Sequence, residues 1–256
     1  MKAFFAFFKK ELLESARSGK LIFLTILFFA FGVMNPAIAK LTPWMLEIMA
    51  DELAGSGMTV TEVSVDALTS WTQFFKNIPM ALIAFVLMYG GIFTREYESG
   101  TLVLMLTKGL ARYKVLLAKA LLLFLFWTAG YFLCFGVTYG YNAYFWNNSI
   151  AKDLMTAVLN QWLFGLWIIA LTVLCSVFAK SSASVLLGVG AGTLCAYILS
   201  LLPKIKAYSP ALLMNSQGLL NGAENAGDYV KAIVLTAVTC AVFIAASIPI
   251  FNKKEI

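Results

Sequence analysis

Six long stretches of the sequence contain no charged residue, and they restrict the fold more than any other feature. Each has about the length that an α-helix needs to cross a hydrocarbon layer of ~30 Å, since a helix rises about 1.5 Å per residue. Hydrophobic residues make up 61% of the chain, well above the share of roughly 45–50% in soluble domains. We therefore predict an all-α polytopic membrane protein, a single domain over residues 1–256. Its six transmembrane helices are predicted at residues 21–39, 78–94, 120–144, 154–179, 181–203 and 232–252.

The basic residues predict the orientation of these spans. With the N-terminus in the cytoplasm, 13 of the 19 lysines and arginines fall on cytoplasmic pieces and 6 on outer loops. Cytoplasmic loops of membrane proteins carry such an excess. We expect both termini in the cytoplasm of a bacterial cell, with the chain in the cell membrane. The net charge of +6 then reflects topology and predicts no nucleic-acid partner, because the basic residues flank apolar runs.

Several classes of function are disfavoured by what the sequence lacks. The chain has no histidine, which removes His-ligated metals and histidine general bases. The six stretches hold no Lys, Arg, Asp, Glu or His, whereas ion-coupled carriers and proton pumps place charged groups near the membrane midplane. No P-loop motif GxxxxGK[ST] occurs, so the chain cannot bind ATP in that way. We predict neither an enzyme nor a secondary transporter, and no cofactor in this chain.

Short helices are predicted outside the spans. Residues 1–20 carry an apolar stripe at helical spacing, which predicts an interfacial amphipathic helix on the inner leaflet. The stripe consists of Phe4, Phe5, Phe8, Leu12 and Ala16. On the outer side, Thr42-Pro43 is typical of the start of a short helix that Gly55 would end, and a second apolar set runs from Ala67 to Phe75. Ser209-Pro210 predicts another short amphipathic or re-entrant helix before the last span.

Small residues mark one face of the fifth span. Ser184, Gly188 and Gly192 are four residues apart, so they lie above one another on a helix. Such faces allow two helices to approach closely, either within one chain or between protomers. We predict a helix-packing role for these three residues.

A dense group of charges follows the second span. Arg95, Glu96 and Glu98 occupy four positions and precede Gly100 and Thr101. The glycine can end one helix and the threonine can cap the next. That next helix has an apolar face, formed by Leu102, Met105 and Leu106 among others. The face requires a cover, which could be the chain's own N-terminal helix or a protein that docks from the cytosol.

Two sets of residues carry a family resemblance. In the inner loop they are the run Glu96-x-Glu98-Ser99-Gly100-Thr101-Leu102, followed by Ala111-Arg112 and Lys119. Elsewhere they are the N-terminal helix with Lys9-Lys10-Glu11, the Ser209-Pro210 segment and the terminal Phe251-x-Lys253-Lys254. Together with the six spans, these features resemble permeases of the ABC-2 type. The chain departs from that pattern at Lys108-Gly109-Leu110, where such permeases often carry a proline.

The resemblance implies the membrane-spanning subunit of an ATP-driven ABC exporter. It implies a separate cytosolic ATPase subunit that holds ATP and Mg²⁺, and a second permease that is identical or related. A coupling helix within residues 95–119 would dock into that ATPase. The coupling residues would be Arg95, Glu96, Glu98, Gly100, Thr101, Leu102, Met105, Leu106 and Arg112. The lack of midplane charge favours an amphipathic or apolar cargo such as an antibiotic, a peptide or a lipid. The alternative is a polytopic membrane anchor or immunity protein that binds a target without transport.

Overall fold

The computed structural model describes residues 2–55, 65–98, 100, 102, 107 and 109–254, without the side chains of residues 2, 46, 49–55 and 98. Over these residues the chain is helical and contains no strand, which confirms the predicted all-α class. The α-helices are α1 Lys2–Arg17, α2 Lys20–Gly55, α3 Ala67–Tyr89, α4 Thr94–Glu98, α5 Arg112–Phe145, α6 Leu154–Phe178, α7 Ser182–Ser200, α8 Pro203–Lys206 and α9 Val230–Lys253. Shorter 3-10 helices cover Asn148–Ile150, Pro210–Leu219 and Ala226–Tyr229.

Six of these helices are long and apolar enough to cross a membrane, namely α2, α3, α5, α6, α7 and α9. Their number agrees with the six predicted spans. The most buried of them is α6, because it packs against α5, α7, α9 and the 3-10 helix Pro210–Leu219. A second packing unit is formed by α2 with α3 and α5. The helices α7 and α9 leave most of their surface facing outward.

The end of the first span and the start of the second differ from the prediction. No separate helix begins at Thr42-Pro43, because α2 continues through both residues to Gly55. The Thr42 hydroxyl donates a hydrogen bond to the carbonyl of Ile38 at 2.8 Å, so it supports the running helix and does not cap a new one. The apolar set that starts at Ala67 forms the first part of α3, whose N-cap Asp66 accepts a hydrogen bond from the Thr69 N–H at 3.0 Å.

The last outer segment begins where the sequence predicts it. The Ser209 hydroxyl accepts from the Ala211 N–H at 3.3 Å and donates to the Ala196 carbonyl at 2.8 Å. Pro210 follows as the first helical residue. The helix is of the 3-10 type and not an α-helix. It packs against α6, α7 and α9, so it is part of the core of the bundle.

A neutral polar group joins three spans. The amide of Asn35 in α2 accepts a hydrogen bond from Asn77 in α3 at 2.7 Å and donates one to the Thr138 hydroxyl in α5 at 2.9 Å. Thr138 in turn donates to the Gly32 carbonyl at 3.0 Å. We call Asn35, Asn77 and Thr138 the amide layer. All three are buried, and their hydrogen bonds replace the water that a membrane interior lacks.

Candidate functional site

A second polar group lies at the end of the bundle where α2, α5 and α7 begin. The Nζ atom of Lys119, only 1% exposed, lies 2.7 Å from Glu11 Oε2 and 3.1 Å from Glu96 Oε1. The Nζ atom of Lys10 lies 2.9 Å from Glu11 Oε1 and 3.7 Å from Glu96 Oε1. We call these four residues the charged cluster. It joins α1, α4 and α5, and its two carboxylates balance its two ammonium groups.

Aromatic rings flank the buried ammonium of Lys119. The ring centroids of Phe7 in α1 and Phe93, just before α4, lie 5.7 and 5.8 Å from its Nζ atom. At this distance the face of an aromatic ring attracts a cation. A buried lysine is tolerated here because it has both charged partners and rings around it, whereas an unpaired buried charge would be strongly unfavourable.

The inward face of α1 is therefore not the predicted stripe. Phe7, Glu11 and Ser15 are its buried residues, whereas Phe5 is 63% exposed. Phe4, Phe8 and Leu12 pack at the edge of the core. The helix itself is present as predicted, but the face that carries Glu11 points inward. There Glu11 forms its ion pair with Lys119.

The ion pairs dominate the protonation of α1. Burial acts to raise the pKa of Glu11, but the charge of Lys119 and the hydrogen bonds from Lys119 and Lys10 outweigh it, so this pKa lies below its ordinary value. Burial acts to lower the pKa of Lys10, but the hydrogen bonds to Glu14 and Glu11 raise it above its ordinary value. Glu11 and Lys10 are therefore both charged near neutral pH.

The structure separates the predicted coupling residues. Glu96 belongs to the charged cluster, whereas Arg95 is exposed. Leu102 is 1% exposed, so the chain's own core covers its side chain and offers none of it to a partner. The Arg112 guanidinium donates to the carbonyls of Phe251, Asn252 and Lys254, which caps the C-terminal end of α9. The side chain of Glu98 and the residues Thr101, Met105 and Leu106 lie outside the described residues.

Two glycines in the left-handed region bracket the segment between α4 and α5. Gly100 has φ +67° and Gly109 has φ +86°. A residue with a Cβ is strained at such angles. At Gly100, a Cβ would meet no atom within 4 Å, so the backbone angle and not crowding explains the glycine.

The predicted packing glycines face a neighbouring helix of the same chain. A Cβ at Gly188 would lie 3.0 Å from Cys175 Sγ, and one at Gly192 would lie 2.8 Å from Leu171 Cδ2. These contacts let α7 approach α6 closely. Ser184 is exposed, and its N–H donates to the Ser181 hydroxyl at 3.3 Å at the start of α7.

Three members of the charged cluster were not among the predicted site residues. Lys10, Glu11 and Lys119 appeared in the sequence analysis only as part of the resemblance, and the two lysines also counted among the basic residues that predict the orientation. The available signal was the position of Glu11 between Phe7 and Ser15, four residues from each. That spacing places an acid on one helix face with a large apolar residue, and such an acid requires a cation.

Comparison with known protein families agrees with the resemblance. A family model described as "ABC-2 family transporter protein" matches residues 5–256, which is nearly the whole chain. A search of curated proteins finds no match. The family implies a membrane subunit, normally not catalytic itself, that associates with an ABC ATPase. The chain belongs to the ABC-2 family of transporter proteins, as the permease subunit of an ABC transporter.

Proposed function

We propose that this permease is an exporter subunit that receives the force of ATP binding through the loop of residues 95–119. ATP and Mg²⁺ bind to the cytosolic ATPase subunit, and the segment between Gly100 and Gly109 docks against that subunit. Two permeases, identical or related, enclose the pathway in a bacterial cell membrane. Both termini and the charged cluster face the cytoplasm.

One observation carries this proposal. Glu96 stands at the beginning of the loop and Lys119 at its end, and their side chains meet at 3.1 Å. This ion pair closes the base of the loop, and Glu11 ties the same lysine to α1. A push on the docked segment therefore reaches α1, α4 and α5 together. A loop with unconnected ends would absorb such a push by bending.

The wall of the bundle favours an amphipathic or apolar cargo. The amide layer joins three spans through neutral groups, and its members form hydrogen bonds with one another. Within the described residues, the ion pairs lie at the charged end of the bundle. A hydrophilic ion would find few partners along such a path.

The substitution Gly100→Leu tests the coupling. Leucine at φ +67° would strain the backbone by about 1–3 kcal/mol, so the segment would leave its docking geometry while the six spans remain folded. We expect the tagged permease to co-purify with less ATPase and the complex to hydrolyse ATP more slowly. ATP affinity of the ATPase subunit itself should not change.

The matched control is Gly222→Leu. Gly222 has a similar φ of +74°, but it lies at the opposite end of the bundle, where only the flexible Lys152 side chain approaches it. Equal losses in both variants would indicate a general folding defect. Unchanged co-purification and turnover in Gly100→Leu, at normal protein levels, would reject the coupling role and favour a membrane anchor that binds a target without transport.

A further inference from the structure

The end of α9 packs against the first end of the loop of residues 95–119. We call the residues Phe251–Lys254, which include the C-cap of α9, the α9 tail. Phe251 is fully buried, and its ring centroid lies 6.0 Å from that of Phe93 and 6.5 Å from that of Tyr97. The Tyr97 carbonyl accepts from the Gly100 N–H at 3.3 Å. The α9 tail therefore contacts the chain just before the docked segment begins.

The same tail is bonded to the second end of the loop by Arg112, the first residue of α5. The Arg112 guanidinium donates to the carbonyls of Phe251 at 3.4 Å, of Asn252 at 3.3 Å and of Lys254. The last carbonyls of a helix have no partner within the helix, and a cation there also interacts favourably with the helix dipole. The α9 tail therefore holds both ends of the loop, one through aromatic contacts and the other through this cation.

Lys254 extends these contacts to α6. Its Nζ atom donates to the Val177 carbonyl at 2.7 Å and to the Ala179 carbonyl at 2.9 Å. Val177 lies in the last turn of α6 and Ala179 is its C-cap, so a lysine from one helix caps the end of another. The Nζ atom also lies 4.0 Å from the ring centroid of Tyr97. One ammonium group therefore joins α4, α6 and α9.

The environment of Lys254 differs from that of a lysine that only marks the end of a span. Lysines of that kind extend to water or headgroups, and the neighbouring Lys253 is exposed. An ammonium has three donors and no acceptor, and at Lys254 two carbonyls and one ring face account for all three. Among the side chains that the structure describes, no carboxylate forms an ion pair with Lys254. Its contacts therefore fix helix ends relative to one another and do not balance an acid.

We propose that the α9 tail transmits movement of the loop of residues 95–119 to α6 and α9, with Lys254 as the positioning residue. The inference rests on the proposed coupling role of that loop. The charged cluster connects the loop to α1, α4 and α5, and it includes neither α6 nor α9. The hydrogen bonds of Lys254 hold the end of α6, the most buried span, to the two ends of the loop. Through both connections, a push on the loop reaches α6 and α9 as well as α1, α4 and α5.

Hydrogen–deuterium exchange tests this transmission in the complex of the permease with the ATPase that co-purifies with it. Exchange is compared in lipid nanodiscs between the nucleotide-free complex and the complex trapped with ATP and vanadate. In the wild-type protein we expect a nucleotide-dependent change both in the loop and at the end of α6, residues 173–179. Lys254→Met keeps the stem of the side chain but removes its donors, so the change at the end of α6 should be lost. The change in the loop and the yield of co-purified ATPase should persist.

Three further variants separate this connection from a general defect. Lys253→Met removes the same charge from an exposed neighbour, and it should leave the change at the end of α6 as in the wild-type protein. Lys254→Arg keeps a charged donor for the two carbonyls, and it should retain the change. Arg112→Gln releases the α9 tail from α5 while Lys254 keeps its bonds to α6. It should weaken the change at the end of α6, and it tests the same connection if Lys254→Met does not fold.

Two results would overturn the transmission but leave the coupling role of the loop intact. One is a full change at the end of α6 in Lys254→Met with a normal yield of ATPase. The other is an equal loss in Lys253→Met, because charge and not the contacts of Lys254 would then be responsible. A wild-type complex without any nucleotide-dependent change in the loop would reject the coupling role itself, so the two failures are distinguishable.

Discussion

The charged cluster and the amide layer each join three helices through buried polar side chains, but they use different groups. The charged cluster uses two carboxylates and two ammonium groups at the end of the bundle. The amide layer uses two amides and a hydroxyl. Asn35 lies about 22 Å from Lys20 along α2, at ~1.5 Å per residue. Asn35 lies within the apolar stretch 21–39, whereas the four residues of the charged cluster lie outside all six stretches. A charge within such a stretch would be less favourable than an amide.

The difference in chemistry also predicts how much stability is lost when one residue of either group is removed. Removing Lys119 from the charged cluster leaves two buried carboxylates with only the more exposed Lys10 near them. Removing one partner from the amide layer leaves only a neutral group without a hydrogen bond. The first defect is the more severe, because desolvating an unpaired charge costs more than desolvating an unpaired amide. The two groups are therefore expected to differ in what they contribute to stability.

Lys119→Met should have the largest effect. The substitution keeps the length of the side chain but leaves Glu11 and Glu96 with only the more exposed Lys10 as a shared cation. We expect a loss of about 3–5 kcal/mol in the free energy of unfolding. The measurement is thermal unfolding of the purified permease in lipid nanodiscs. Lys9→Met, at an exposed position of α1, should leave the unfolding midpoint unchanged.

Two further substitutions in the same cluster should restore stability to Lys119→Met. Lys119→Met combined with Glu11→Leu and Glu96→Leu removes all three groups at once, and an apolar replacement of a buried ion cluster is often neutral or stabilising. We expect the triple variant to regain most of the lost stability. If the single and triple variants were equally unstable, packing around Lys119 and not its charge would explain the loss.

Asn35→Leu should have a smaller effect. It leaves the Asn77 amide and the Thr138 hydroxyl without their bonds to Asn35, and we expect a loss of about 1–2 kcal/mol, as for hydrogen bonds between membrane helices. Asn142→Leu is a matched control on α5. Asn142 is fully buried, and neither atom of its amide has a hydrogen-bond partner among the described residues. This control should be neutral or slightly stabilising, and a loss equal to that of Asn35→Leu would contradict the assigned role of the layer.

The spans could be predicted from the sequence because their signal is local. A run of apolar residues about as long as the bilayer is thick determines a span by itself. The start of the last outer segment was also local, since Ser209 caps the helix that Pro210 begins. The same kind of reasoning was wrong at Thr42-Pro43, because α2 runs through both residues and the Thr42 hydroxyl bonds the Ile38 carbonyl within the helix.

The charged cluster could not be predicted in the same way. Glu11 and Lys119 are 108 residues apart, and the sequence alone does not show that α1 folds back against α5. Lys119 directly precedes the third apolar stretch, so it was counted as a topology signal. Only the packing of Phe7 and Phe93 around its ammonium shows that it is buried. The amide layer is likewise built from distant positions, since Asn77 and Thr138 are 42 and 103 residues away from Asn35 in sequence.

Acid should weaken the charged cluster and leave the amide layer unchanged. We expect this loss of stability to be smaller than the losses in Lys119→Met and Asn35→Leu. The amide layer has no group that titrates, whereas Glu11 has a folded-state pKa below its ordinary value of 4.5. A carboxyl group of this kind contributes stability that is fully present above about pH 4.5 and is lost as the pH falls through the lower folded-state pKa. Between pH 7 and pH 5 we therefore expect no contribution from Glu11 to any change.

The comparison that isolates Glu11 is the wild-type protein against Glu11→Gln, unfolded by heat at several pH values. Glutamine cannot ionise, so the gap in unfolding midpoint between the two proteins should narrow below about pH 4.5. The narrowing follows from protonation of Glu11 in the wild-type protein, which breaks the ion pair that the variant already lacks. Asn35→Leu should run parallel to the wild-type protein over the whole range, since it removes no titrating group. A gap for Glu11→Gln that stayed constant down to pH 3 would show that Lys119 is not stabilised by an ionised Glu11, and the charged cluster would then resemble the amide layer in its energetics.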